Sequence, residues 1–267
     1  MSRRFRHFSC PNWLIFNNSR QGQNIDINTF LNNAPCFEEN GIEPKRLISS
    51  TKTLFDMCPG FAERFKGQPI CCSDAQIEDL NEKFESVYQT FFQDCPACLR
   101  SQLEYYCEMY CHPEQADFIE VSEVFESTIP NQNKFGIQKF TAKVPSKFLN
   151  DIYDNCKTVK QKWFSNVDSI PIYSTTVVEN KFCKDTTNCN GEHWLNAQGL
   201  ANGTWPRMGV LNEIQIFEDS KFSSDVYNCD RQDILVYPVN STLTKSCECF
   251  NCVKECLEPD EVCFFIK

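Results

Sequence analysis

The sequence predicts an α+β fold: a single helix-rich domain, residues 1–267, with a small mixed β-sheet and many disulfides. Three observations support this class, namely amphipathic helical segments, short strand-like segments, and 18 Cys among 267 residues. The length is ample for a hydrophobic core. The formal net charge of −10 argues against a nucleic-acid binder, and no apolar run approaches the length of about 18 residues that a membrane span needs.

Three helices are predicted. The first follows Cys72, with Ser73 as its N-cap and Gln76 closing a capping box, and it ends before Pro96. Its apolar face recurs at helical spacing: Ile77, Leu80, Phe84, Val87 and Phe91. The second ends at Pro113 and carries apolar or aromatic residues on adjoining turns: Leu99, Leu103, Tyr106, Cys107 and Tyr110. The third begins at Ser146, with Phe148, Ile152 and Cys156 inward.

Five segments rich in β-branched or aromatic residues predict strands, at 120–125, 135–142, 170–178, 213–217 and 233–239. Pro171 and Pro238 favour edge positions for the segments that contain them. Residues 1–57 are polar and rich in Asn, which predicts loops with short helical pieces. The Asp and Glu residues are scattered, which is typical of a solvated acidic surface.

The cysteines indicate an oxidising compartment. Cys95 and Cys98, and Cys249 and Cys252, have metal-ligand spacing, but compact four-ligand units are not evident. An even count favours disulfides, and hence a secretory-pathway lumen. Three sequons, candidate glycosylation sites, agree with this; they begin at Asn17, Asn202 and Asn240. Residues 1–16 lack the apolar stretch of a signal peptide, so we expect the chain to be a segment of a longer protein.

Enzymatic chemistry finds little support in the sequence. No nucleophile elbow, dinucleotide fingerprint or phosphate-binding loop is present, and paired cysteines leave no thiolate nucleophile. We therefore predict neither an enzyme, nor a cofactor, nor a metal site. The remaining alternatives are a rigid aromatic-rich body that encloses an apolar ligand, and an ordinary core filled by Phe and Tyr.

An ordered series of cysteine motifs resembles a known family. The series is MCPGF at 57–61, CCSDAQ at 71–76, CPAC at 95–98, CEMYCHP at 107–113, the pair Cys183 and Cys189, and the cluster at 247–256. It resembles the N-terminal lumenal domain of the large Niemann–Pick type C sterol transporters. The resemblance covers a core at 58–256; residues 1–57 match poorly, and 257–267 form an unmatched tail.

The resemblance implies a non-enzymatic function. Such a domain encloses one sterol in a deep pocket, with the 3β-hydroxyl innermost. It receives the sterol from the small soluble Niemann–Pick type C sterol carrier and passes it towards the membrane domain of its own transporter. The implied location is the lysosomal or late endosomal lumen, or the extracellular side. The alternatives are a folate-receptor-like binder of another small ligand and a cysteine-rich interaction module without a ligand.

The resemblance also implies the residues that contact the sterol. Gln76 is the expected partner of the sterol hydroxyl. The other expected contacts are wall and entrance residues: Leu80, Tyr106, Tyr110, Phe182, Pro206 and Trp13. One departure from the family concerns Pro35, which stands where the family has a second hydroxyl-binding residue, an Asn.

A disulfide pattern follows from the same resemblance. The implied pairs are Cys58–Cys107, Cys72–Cys111, Cys95–Cys247, Cys98–Cys156, Cys183–Cys189, Cys229–Cys252 and Cys249–Cys256. Cys10, Cys36, Cys71 and Cys263 are left to pair among themselves in one of three ways.

Overall fold

The computed structural model describes residues 46–91, 95–126, 135–164, 171–176, 211–231, 233–234, 247 and 252. Within these ranges the helices are α1 (Thr51–Met57), α2 (Pro59–Arg64), α3 (Asp74–Phe91), α4 (Pro96–Cys111) and α5 (Ser146–Cys156). The strands are β1 (Ile119–Glu126), β2 (Phe135–Val144), β3 (Lys160–Phe164), β4 (Pro171–Thr176) and β5 (Leu211–Ile216). A 3₁₀ turn, Gln115–Asp117, joins α4 to β1.

Helix α3 begins as the sequence predicts. The Ser73 backbone N–H donates to Oε1 of Gln76 at 2.9 Å, and the Gln76 N–H faces Oγ of Ser73 at 3.4 Å. These reciprocal contacts form the predicted capping box. Asp74, the first residue of the helix, accepts backbone N–H groups from Ser49 at 2.8 Å and Ser50 at 2.7 Å, so it fastens the chain before α1 to the start of α3.

Helix α4 is the buried centre of the described structure. Pro96 stands in its first turn, where a missing N–H costs nothing. Leu99, Leu103 and Met109 are each at most 1 % exposed. Disulfides fix the helix on several sides, because Cys98, Cys107 and Cys111 join Cys156, Cys58 and Cys72. Other elements are therefore arranged around α4.

The three-stranded sheet is mixed, as predicted. Strands β1 and β2 pair antiparallel, whereas β2 and β5 pair parallel. Phe140, Ala142 and Val144 alternate along β2 and are all buried, as expected of a strand with one face on the core. Helix α5 follows β2 directly, and its predicted inward residues Phe148 and Ile152 are buried.

The other strand predictions have different outcomes. The segment predicted at 170–178 contains β4, which pairs antiparallel with β3; within the described residues β3 is its one partner, in agreement with an edge position for Pro171. Strand β3 was not predicted from the sequence. Of the segment 233–239, residues 235–239, including Pro238, lie outside the described residues.

Five disulfides join cysteines of the described residues. They are Cys58–Cys107, Cys72–Cys111, Cys95–Cys247, Cys98–Cys156 and Cys229–Cys252, and each is a pair that the family resemblance implies. Cys71 is also disulfide-bonded, to a cysteine outside the described residues. Cys95, Cys98 and Cys252 are therefore not metal ligands. The pairs Cys183–Cys189 and Cys249–Cys256, and Cys10, Cys36 and Cys263, lie outside the described residues.

Candidate functional site

A row of aromatic side chains runs between α3, α4 and β2. The ring of Phe84 on α3 lies 4.9 Å from Tyr106 on α4, and Tyr106 stacks on Tyr110 one turn later, with 6.1 Å between ring centroids. Tyr110 in turn meets Phe140 of β2 edge-on at 6.3 Å. Leu80, one turn before Phe84, is 2 % exposed. Three of the expected contact residues thus lie in or beside this row.

The two tyrosines of the row, Tyr106 and Tyr110, are close to the core but remain partly exposed. Burial raises the pKa of Tyr106 well above its usual value, and burial, followed by the neighbouring tyrosines, does the same for Tyr110. Both side chains are nevertheless only half-buried, whereas Phe84 and Phe140 are buried.

Gln76 has a structural role in addition to the one expected of it. Its Oε1 accepts from the Ser73 N–H and from the Ser73 hydroxyl at 3.0 Å. The side chain is half-buried and lies one helical turn before Leu80. A hydroxyl group placed against its Nε2 would accept a hydrogen bond, since an amide nitrogen is a donor.

Several expected site residues fall outside the described residues. They are the contact residues Phe182, Pro206 and Trp13, the neighbour Pro35, and the glycosylation candidates Asn17, Asn202 and Asn240. The described part of the candidate site therefore consists of Gln76, Leu80, Tyr106 and Tyr110 with the two flanking phenylalanines.

The opposite face of α4 carries a polar stripe that sequence reasoning missed. Arg100, Glu104, Glu108 and His112 follow one another at intervals of four residues and are 2 %, 0 %, 1 % and 8 % exposed. The expectation that acidic residues are solvated is therefore wrong for Glu104 and Glu108. The regular spacing of the charged residues of this helix was the available signal, because residues four apart share one face.

The stripe is buried because it satisfies the ends of α1 and α2. The Glu104 carboxylate accepts the N–H groups of Gly60 at 2.7 Å and Phe61 at 2.8 Å, at the start of α2. Nη1 of Arg100 donates to the carbonyls of Asp56 and Met57 at the end of α1. Helix ends leave such groups unpaired, so these two side chains join both short helices to α4.

Glu108 and His112 complete the stripe near the end of α2. Glu108 Oε2 lies 2.9 Å from Nη2 of Arg64, and Glu108 Oε1 lies 3.7 Å from Nε2 of His112. Burial raises the pKa of Glu108 to about 7, although Arg64 opposes the shift. Burial lowers the pKa of His112 to about 4.

A surface groove of about 420 Å³ lies beside this polar stripe. Its walls come from α1, α2 and residues 225–231: Phe55, Pro59, Gly60, Glu63, Asp225, Val226, Tyr227 and Arg231. None of the expected sterol-contact residues belongs to it, so it is a feature separate from the aromatic row.

The described residues contain neither a membrane-spanning helix nor a metal-binding cluster. None of their helices combines the length and the hydrophobicity that a bilayer span requires. Within the same ranges, no three side chains of His, Cys, Asp or Glu are arranged to hold a metal ion.

Comparison with known proteins identifies the family. The family described as Niemann-Pick C1 N terminus matches residues 20–263. The NPC intracellular cholesterol transporter 1 of Sus scrofa is 29% identical over 142 residues, 52% of this chain and 10% of that protein. The NPC1-like intracellular cholesterol transporter 1 of Mus musculus is 26% identical over 193 residues, 69% of this chain and 13% of that protein.

A more distant relative extends the comparison to nematodes. The NPC intracellular cholesterol transporter 1 homolog 1 of Caenorhabditis elegans is 21% identical over 183 residues, 63% of this chain and 12% of that protein. The chain thus spans only about a tenth of the length of the relatives it matches. The match over residues 20–263, which is most of the chain, shows that the chain belongs to the Niemann–Pick C1 N-terminal domain family.

Proposed function

We propose that the chain is a single sterol-binding domain whose pocket borders the aromatic row of α3, α4 and β2. The observation that carries the proposal is the partial exposure of Tyr106 and Tyr110. Both pack against buried Phe84 or Phe140 in the aromatic row, yet both keep accessible surface. Aromatic side chains that keep accessible surface beside a packed core are available to a ligand, whereas side chains inside the core are not.

The chemistry of the aromatic row suits a flat apolar ligand with one polar end. Tyr106 and Tyr110 offer ring surface backed by the buried side chains of Leu80, Phe84 and Phe140, and burying sterol surface against such rings is favourable by about 25 cal/mol per Å². The buried sterol hydroxyl needs a partner, because an unpaired one costs about 1–3 kcal/mol. Gln76, at the start of α3, is the polar side chain that we propose for this contact.

We also propose how the domain works in its larger protein. In this proposal it takes sterol from the small soluble Niemann–Pick type C carrier and passes it to the membrane domain of its own transporter, in the lysosomal or late endosomal lumen. The named cholesterol transporters among its relatives support this. Binding and release of the sterol involve no covalent step.

A binding experiment on Gln76 tests the proposal. Gln76→Ala is expected to weaken binding of radiolabelled cholesterol about tenfold, since 1.4 kcal/mol changes affinity by a factor of ten. The same change removes half of the capping box, so Ser73→Ala, which weakens the cap and keeps Gln76, is the matched control and should bind nearly as wild type does.

Competition decides between ligand classes. Unlabelled cholesterol should displace the bound label, and folate should not. Displacement by folate would favour a vitamin-binding pocket, and no binding of cholesterol by the folded wild-type domain would refute the sterol proposal. An equal loss of cholesterol affinity in Gln76→Ala and Ser73→Ala would show that Gln76 acts as a helix cap and does not contact the sterol.

A further inference from the structure

The segment 220–231, which we call the strap, crosses the polar stripe of α4 without regular secondary structure. Phe222 anchors its first part: it is 3 % exposed and its ring lies 5.0 Å from Phe148 and 5.4 Å from Phe118. Near its far end, the Cys229 N–H donates to Oδ1 of Asn155 on α5 at 3.1 Å.

Between these anchors, side chains of α2 and α4 hold the strap. The Ser223 N–H points at Glu108 Oε1 at 3.3 Å, and Arg64 donates to the Ser223 carbonyl at 2.5 Å. The Tyr227 hydroxyl donates to Glu104 Oε1 at 3.0 Å, and the Tyr227 N–H donates to Oγ of Ser101 at 2.9 Å. The two buried carboxylates are therefore the acceptors for the strap.

The charges that face these carboxylates do not balance. Glu104, Glu108 and Asp225 place three carboxylates in mutual electrostatic contact. Arg64 contacts two of them, at 2.9 Å from Glu108 and 3.9 Å from Asp225. Arg100 directs its Nη1 to the carbonyls of α1 instead. Within the described residues, a proton on one carboxyl group would reduce the excess of negative charge.

His112 does not supply that missing positive charge. Its Nδ1 accepts the Glu114 N–H at 3.0 Å, so Nδ1 carries no proton and the ring is neutral while this bond persists. The ring lies between Phe65 at 5.0 Å and Phe118 at 5.3 Å. Lys221, the one strap cation near it, contacts Asp117.

We propose that Glu108, beside the carboxylates of Glu104 and Asp225, forms a proton-dependent latch, in which proton uptake by its carboxyl holds the strap against α2 and α4 and proton loss loosens it. The proposal rests on the geometry of the strap and is independent of the proposed sterol function. An opened strap would expose the Glu108 carboxyl to water, where a charged carboxylate is well solvated. In the closed state this carboxyl remains buried, where the neutral form is favoured.

The sign of the effect follows from linkage. In the closed state burial raises the pKa of Glu108 to about 7 and also raises that of Glu104, whereas an exposed Glu has a pKa of about 4.3. The closed state therefore binds protons more tightly. The closed strap gains stability relative to the open one as the pH falls, and this gain is complete near the ordinary pKa of Glu. The gain is lost as the pH rises through about 7.

Hydrogen exchange of strap amides tests the latch. We expect the protection factors of Ser223 and Tyr227, corrected for the chemical exchange rate, to be about tenfold or more higher at pH 5 than at pH 8. The Ile152 amide inside α5 reports on the rest of the fold, so the ratio of strap protection to Ile152 protection is the quantity compared.

Two variants make the test specific. Glu108→Gln keeps the shape of a neutral carboxyl and should give strap protection near the acid value of the wild type, with a clearly smaller dependence on pH. Asp151→Asn, on the exposed side of α5, should behave as wild type does.

Equal strap protection at pH 5 and pH 8 in the wild type would overturn the proposal, as would an unchanged pH dependence in Glu108→Gln. If Glu108→Gln fails to fold, a carbon-13 titration of the wild-type Glu108 carboxyl decides. A midpoint near neutrality supports the latch, and a midpoint in the ordinary range of Glu overturns it.

Discussion

Replacement of Glu104 by Ala tests whether the polar stripe of α4 holds α2 in place. The change removes the acceptor for the Gly60 and Phe61 N–H groups, which lie 2.7 and 2.8 Å from the carboxylate, and for the Tyr227 hydroxyl. Phe61 is 0 % exposed, so water cannot replace the lost acceptor there. An unpaired buried donor costs about 1–3 kcal/mol.

The three losses together are expected to lower the free energy of unfolding by about 3 kcal/mol. Urea denaturation at neutral pH with the disulfides intact, followed by circular dichroism, measures this as a lower midpoint at unchanged slope. Glu104→Gln keeps one acceptor oxygen and should lose about half as much.

Glu63→Ala is the matched control, because Glu63 lies on the exposed side of α2 with 64 % of its side chain accessible. It should change the unfolding free energy by less than about 0.5 kcal/mol. A Glu104→Ala protein as stable as the Glu63→Ala protein would refute the view that Glu104 holds the start of α2.

Three further predictions concern the same region. Replacing Cys58 and Cys107 together by Ser should lower the free energy of unfolding by about 4 kcal/mol, seen as a lower melting temperature; an unchanged melting temperature would contradict it. In Gly60→Ala the new Cβ would clash with Oδ2 of Asp225, so a double-mutant cycle should show a smaller loss of stability for Gly60→Ala in the Asp225→Ala background. Additive losses of stability would refute that contact. Burial lowers the pKa of His112 to about 4 in the fold, against about 6.5 in the unfolded chain. The neutral ring therefore stabilises the fold fully above about pH 6.5, and this contribution is lost as the pH falls through about 4. His112→Gln should reduce the loss of stability in acid unfolding, and identical acid-unfolding curves for the two proteins would contradict this.

The long helices and most strands follow from local signals. Helix α3 has its own capping box and a regular apolar face, and Pro96 marks the start of α4 and separates it from α3, so neither needs distant contacts to be predicted. The alternation of Phe140, Ala142 and Val144 similarly identifies β2. These signals act over a few residues, and for that reason they are visible in one sequence.

The features that escaped prediction depend on distant residues. Helix α2 has only six residues, too few to be stable alone, and its start is capped by Glu104, more than forty positions along the chain. Glu104 and Glu108 look like solvated charges until α2 and the strap cover them. Strand β3 is short and polar, and it is ordered by pairing with β4.

The candidate site was predicted mainly through the cysteine motifs. They place Gln76 beside Cys72, and Tyr106 and Tyr110 beside Cys107 and Cys111. The Cys72–Cys111 disulfide then holds the start of α3 against the end of α4. The stacking of Tyr106 on Tyr110 and the contact with Phe84 could not be predicted, because they depend on how the helices pack.

Native mass spectrometry of the intact domain after incubation with cholesterol tests the central claim most directly. The account predicts one sterol per folded chain, with much lower occupancy in Gln76→Ala than in Ser73→Ala under the same conditions. A folded wild-type domain that stays at its unliganded mass across a wide range of sterol concentrations would contradict it.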